Sequence, residues 1–143
     1  MNDAESLSNV LIQIIKQALW APLAVFIVHS MAGDILGHEP YVDPVAHFLG
    51  GMAIAFFFWV SANCCRHYLG SLSLIAQALL VFGLTTFIAI AWELMEAFLF
   101  ATGEIYLQKW WATMPRDLFL GISGAALLVG VNIKINQRRN SGN

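Results

Sequence analysis

The stretch "LSLIAQALLVFGLTTFIAIAWELMEAFLF", Leu72 to Phe100, decides the architecture of this chain. It is apolar over more than the roughly 20 residues that a helix needs to cross a bilayer, and its only charges, Glu93 and Glu96, fall near its end. Three further stretches approach the same length: Val10 to Ala32, Val45 to Ala62 and Leu118 to Ile135. The composition agrees, with 59% hydrophobic and 11% charged residues among 143 and a mean hydropathy of +0.69, outside the range of water-soluble domains. The expected fold is therefore all-α, a polytopic membrane protein of four transmembrane helices forming a single domain over residues 1–143. Its surroundings are membrane lipid. Nucleic acid is excluded as a partner, because a net charge of -2 comes with no basic block beyond Lys134, Arg138 and Arg139 to bind phosphates.

The first stretch is the least regular. Gln13, Lys16 and Gln17 interrupt its beginning and Pro22 is expected to kink it. Its cleaner core, Ala18 to Val28, has the length of a signal-peptide core, and "HSMA" offers small residues for cleavage. Asp3 and Glu5 give the preceding region the wrong charge for a signal, so the expectation is a retained span. Lys16, Arg66, Lys134, Arg138 and Arg139 fall on one side of the four spans, which by the bias of basic residues puts both termini in the cytoplasm. Lys109 and Arg116 run against that bias. The loops Gly33 to Pro44 and Ala101 to Arg116 would then face outward. Cys64 and Cys65 are adjacent, suit neither a disulfide framework nor a zinc site, and read as reduced residues at the membrane boundary.

Up-and-down threading brings the start of span two, the end of span three and the start of span four to one membrane face. Span two opens "DPVAHFLGG", where Asp43 and His47, four apart, lie about 40° around and roughly 6 Å along a helix. Span three ends "WELMEAF", with Glu93 and Glu96 neighbours on one helical face. Span four opens "MPRDLFLGISGA", with Asp117 in its expected first turn. Gly51 and Ala55 on span two, and Gly121 with Gly124 or Ala125 on span four, form small-residue grooves that permit close packing. If those grooves meet, His47 and Asp117 arrive at the same depth beside the glutamates.

Carboxylates inside a bilayer need a partner, a water cavity or an ion. A divalent metal is one answer: a histidine nitrogen with aspartate and glutamate oxygens suits zinc, manganese or iron, and three protein ligands leave a position for water. The expected metal ligands are His47, Glu93 and Asp117, with Asp43 and Glu96 outside them. The same His47, Glu93 and Asp117 would be catalytic in a metal-dependent hydrolase of lipid-linked or amphiphilic substrates, one glutamate acting as general base. The second answer is shared protons, in a proton- or ion-linked transport or binding protein that would assemble with further copies. The third is structural, a partner subunit of another membrane protein in which the polar groups only pin helices together. The residues leave enzyme status open.

Each member also has a plainer explanation. Asp43 before Pro44 looks like a helix N-cap, Asp117 would favour a first turn through the helix dipole, His47 would satisfy a backbone carbonyl, and Glu96 would reach interfacial water. Glu93 is the hardest to dismiss, about 10 Å from the end of its span. Asp34, His38 and Glu39 read as solvated loop residues. The run "FFFW" from Phe56 to Trp59 and the pair Trp110 and Trp111 read as lipid contacts and interfacial anchors. Gln77, Thr85 and Thr86 bond either a neighbouring helix or their own backbone.

Taken together, "DPVAHFLGG", "WELMEAF" and "MPRDLFLGISGA" resemble the YjdF-like family of small bacterial membrane proteins and, more distantly, the VanZ-like group. The resemblance covers Asp43 to Ala126. It implies an Asp-x-x-x-His-Phe opening of one span, a Trp-Glu-x-x-Glu end of the next, and an Asp followed by small residues at the start of a third. Where those families carry a further acid before the last Asp, this chain has Trp111 and Ala112. The resemblance implies a multi-pass protein of the bacterial inner membrane and cell envelope, and for the VanZ-like group an association with glycopeptide resistance.

Overall fold

The computed structural model describes residues 3–36, 42–100 and 104–141. Among these there is no strand. The chain forms α1 (Asp3–Ile14), a π-helical turn (Ile15–Leu19), α2 (Trp20–Leu36), α3 (Val42–Cys64), the short α4 (Arg66–Leu69), α5 (Leu74–Phe100) and α6 (Glu104–Ser141). Four helices are long and apolar enough to cross a membrane: Leu7–Ala32, Val42–Cys64, Leu74–Leu99 and Leu107–Arg139. These are spans one to four, and the protein is a four-helix polytopic membrane protein.

Local sequence explains the boundaries. Pro22 has no N–H to offer the carbonyl of Ala18, and the widened π turn that distorts span one lies directly before it. Gly70 takes φ of 74° after α4, a conformation that favours glycine. Ser73 then caps α5, its Oγ accepting a hydrogen bond from the Ala76 N–H at 3.1 Å. Pro44 falls in the first turn of α3, where a missing N–H costs nothing.

Three expectations about helix ends are corrected. Residues 104–116, expected in an outward loop, belong to α6, which runs unbroken through Pro115 for 38 residues. Asp117 therefore sits well inside a helix, not in a first turn. Asp43 lies within the first turn of α3 after Val42, not ahead of it as an N-cap. Gly33 to Leu36 are likewise helical, as part of α2.

Span two is the hub, packing against the other three spans. The grooves of spans two and four meet as the sequence suggests. A Cβ added at Gly51 would run into the carbonyl of Gly121, and one at Gly124 into the carbonyl of Phe48. Ala55 and Ala125 are fully buried along the same seam. The core lies among spans two, three and four, built on Ala55, Trp59, Ala78, Val81, Ala125 and Val129. Trp59 is thus a core residue at 6% exposure, not a lipid contact. At the end away from the acids, the Gln77 side-chain amide donates to Asn63 Oδ1 at 3.1 Å, tying span three to span two. Thr85 and Thr86 instead bond their own helix, to the carbonyls of Val81 and Phe82. Gln77→Leu should cost about 1 kcal/mol, the scale of one interhelical hydrogen bond in a membrane. An unchanged thermal unfolding temperature in detergent would show that the bond contributes nothing.

Span one is attached differently. Its backbone approaches span two alone; no Cα of α1, the π turn or α2 comes within 8 Å of α5 or α6 among the described residues. Spans one and three flank span two, and a cleft separates them.

Candidate functional site

That cleft holds a cavity of about 310 Å³. Span one lines it from Leu19 through Pro22 and Phe26 to His29, span two from Ala46 to Ile54, and span three with Ala89, Trp92, Glu93 and Glu96; Asp117 and Gly121 of span four close its base. Most of this wall is apolar. The polar groups gather at the end where span one finishes and span two begins.

Three side chains there come close enough to share an ion. His47, Glu93 and Glu96 each offer one ligand atom, all within 4.8 Å of one another. His47 Nδ1 lies 3.5 Å from Glu93 Oε1. A tetrahedral ion with bonds of about 2.1 Å holds its ligands about 3.4 Å apart, so modest side-chain rotation closes the group. Burial makes the arrangement expensive if left alone. The Glu93 side chain is 3% exposed, faces the cavity, and receives no hydrogen bond from any described residue, whereas buried carboxylates ordinarily collect donors. Glu96 is held from its own helix: the indole N–H of Trp92 donates to its Oε1 at 3.0 Å. The same indole ring meets Phe26 of span one edge-on, centroids 6.2 Å apart. That ring pair bridges the cleft that the backbones leave open.

The remaining sequence candidates fall at the rim. Asp117 is buried and lines the cavity, yet its carboxylate is engaged: Arg116 Nε donates to Oδ1 at 2.8 Å. It therefore stands outside the inner group, and Glu96, expected outside, stands within it. Asp43 is more than half exposed and lies 3.9 Å from His29 Nε2. It belongs to the rim. Of the residues read as loop, Asp34 is in α2, and His38 and Glu39 lie outside the described residues. Trp111 is well exposed, as an anchor would be, and its ring packs against that of Trp110.

Sequence reasoning missed three participants. His29 contributes a ring to the cavity wall, with Nδ1 buried and unpartnered; its signal was a histidine within an otherwise apolar span. Arg116 reads in the sequence as a loop charge, and Trp92 as part of the Trp-Glu-x-x-Glu motif with no role of its own. No family model, curated protein or solved structure matches the chain, so the likeness to the YjdF-like and VanZ-like proteins rests on its three short motifs and adds nothing to the site.

Proposed function

We propose that this protein is a metal-dependent membrane hydrolase of amphiphilic esters or phosphoesters, with a divalent ion, zinc or manganese, held by His47, Glu93 and Glu96. One observation carries the reading: His47, Glu93 and Glu96 bring one ligand atom each within 4.8 Å of one another at the polar end of an apolar cavity, with the Glu93 side chain almost fully buried, and a cation among them balances the two carboxylates. Bound there, such an ion contributes Lewis acidity toward an ester or phosphoester oxygen. The chain does the rest. His47, Glu93 and Glu96 would hold the ion, with Glu96 fixed through Oε1 by Trp92, and the wall from Leu19 to Ile54 seats the apolar part of the substrate. Asp117, neutralised by Arg116, sets the charge at the rim. The basic residues near Lys16, Arg66 and Lys134 to Arg139 favour both termini in the cytoplasm, and the motif resemblance favours the bacterial inner membrane, which would put the site at the outer leaflet.

A second reading is favoured by the 3.5 Å approach of His47 to Glu93: the same three groups share protons in an ion-linked transport or binding protein. Metal content measured by mass spectrometry on purified protein separates the two. Wild type should carry metal near one ion per chain, and Glu93→Gln and His47→Ala should lose it while keeping their helicity. No metal in any folded sample, even after incubation with zinc and manganese, would reject the hydrolase and leave proton sharing.

A further inference from the structure

The shape and charge of the site narrow its ligand further. At about 310 Å³ the cavity is at the small end of ligand pockets, room for one hydrocarbon chain rather than two. It runs along span one from Leu19 to His29, about 15 Å of helix, and is apolar until the end that carries His47, Glu93 and Glu96. At that end stands Arg116. It lies outside the cavity wall with its side chain 46% exposed, but its Nε is bound to Asp117, which lines the cavity. The guanidinium thus stands at the rim of the cavity, beside the carboxylate of span four. Among the described residues its terminal nitrogens bond nothing, so the planar fork is free to take two oxygens.

We infer that the ligand is a single-chain lipid phosphomonoester, its chain in the cleft between spans one and three and its phosphate between the His47–Glu93–Glu96 ion and Arg116; this rests on the metal reading above. The charges support it. A divalent ion cancels Glu93 and Glu96, and Arg116 cancels Asp117; Asp43 at the rim is more than half exposed to solvent, so the inner pocket is neutral with two electron-poor centres. A phosphate has three terminal oxygens, enough for a two-oxygen bond to the fork and one to the ion. A carboxylate has two and cannot satisfy both. In hydrolysis, water attacks phosphorus, the bond from phosphorus to the ester oxygen breaks, the leaving alkoxide takes up a proton, and an alcohol and inorganic phosphate are released.

The test is binding to metal-loaded protein in maltoside micelles, with dodecyl phosphate, dodecanol, dodecanoate and inorganic phosphate as probes, by calorimetry or Trp fluorescence. Dodecyl phosphate should bind at least about tenfold tighter than any of the other three, one charge-assisted hydrogen bond being worth about that much. Arg116→Gln should weaken dodecyl phosphate about tenfold and leave dodecanol unchanged. Because that variant strands a buried carboxylate, Arg116→Gln with Asp117→Asn serves as a neutral pair and should show the same loss. Gly50→Leu, which fills the cavity beside Val25, should weaken dodecyl phosphate and not inorganic phosphate. Equal binding of dodecanol or dodecanoate, equal binding of inorganic phosphate, or a neutral-pair variant that binds normally each overturns the inference. Protein that loads metal without preferring the lipid phosphate overturns this inference alone; protein that loads no metal overturns both readings.

Discussion

Gly51→Leu is expected to abolish the folded state or leave it unfolding at a much lower temperature. A side chain at position 51 has nowhere to go, because the first atom it adds falls on the main-chain carbonyl of Gly121. Overpacking that side chains can absorb costs about 1–3 kcal/mol. Here the obstacle is backbone, so spans two and four must separate along the seam that also holds Gly124, Ala55 and Ala125. Loss at or beyond the top of that range is a large share of a total stability of about 5–15 kcal/mol. Gly83→Leu is the control, since an added Cβ there meets nothing, and it should unfold like wild type. Thermal unfolding followed by circular dichroism in detergent checks both; a Gly51→Leu protein as stable as wild type would mean that the two spans do not pack in this register.

The second large effect has opposite signs in two assays. Glu93→Gln removes a buried charge that receives no hydrogen bond from the described residues and has His47 3.5 Å away, so in the presence of a chelator it should stabilise the protein by about 1–3 kcal/mol, the usual penalty for an unsatisfied buried group. The same change should lower metal affinity by about 100-fold or more, since loss of an outer supporting group alone costs 10–100-fold. A group kept at the expense of stability is the mark of a functional site. If Glu93→Gln instead proves less stable than wild type in chelator, the carboxylate is a structural pin between spans two and three, and the proposed chemistry falls with it.

Much of this arrangement is legible in the sequence. Hydropathy marks the four spans because a bilayer admits few alternatives to an apolar helix, and the Gly51 and Gly121 grooves follow from the need for small residues where backbones touch. Convergence of Asp43, His47, the two glutamates and Asp117 at one face follows from threading alone. The pairing among them does not. Adjacent residues on a helix point in different directions, so nothing in the spacing says that Arg116 folds its long side chain back onto Asp117. Nor does it say that Glu96 turns inward, which depends on the indole of Trp92. The helical form of residues 104–116 was hidden by Lys109, Pro115 and Arg116, which together read as a loop although a proline two residues before Asp117 leaves α6 continuous. The part of span one was hidden for another reason: an isolated histidine gives no hint of which neighbour it will face.

The separation of spans one and three bears on how any ligand is counted. The cavity lies between two staves of the bundle, bridged by the rings of Phe26 and Trp92, and its long side borders the surrounding lipid. For an apolar molecule that reaches the cavity from that side, arrival is two-dimensional diffusion within one leaflet, and its effective concentration is a mole fraction of lipid, not a molarity in buffer. Diluting the protein with more lipid should empty the site, whereas diluting the suspension with more water should leave its occupancy where it was.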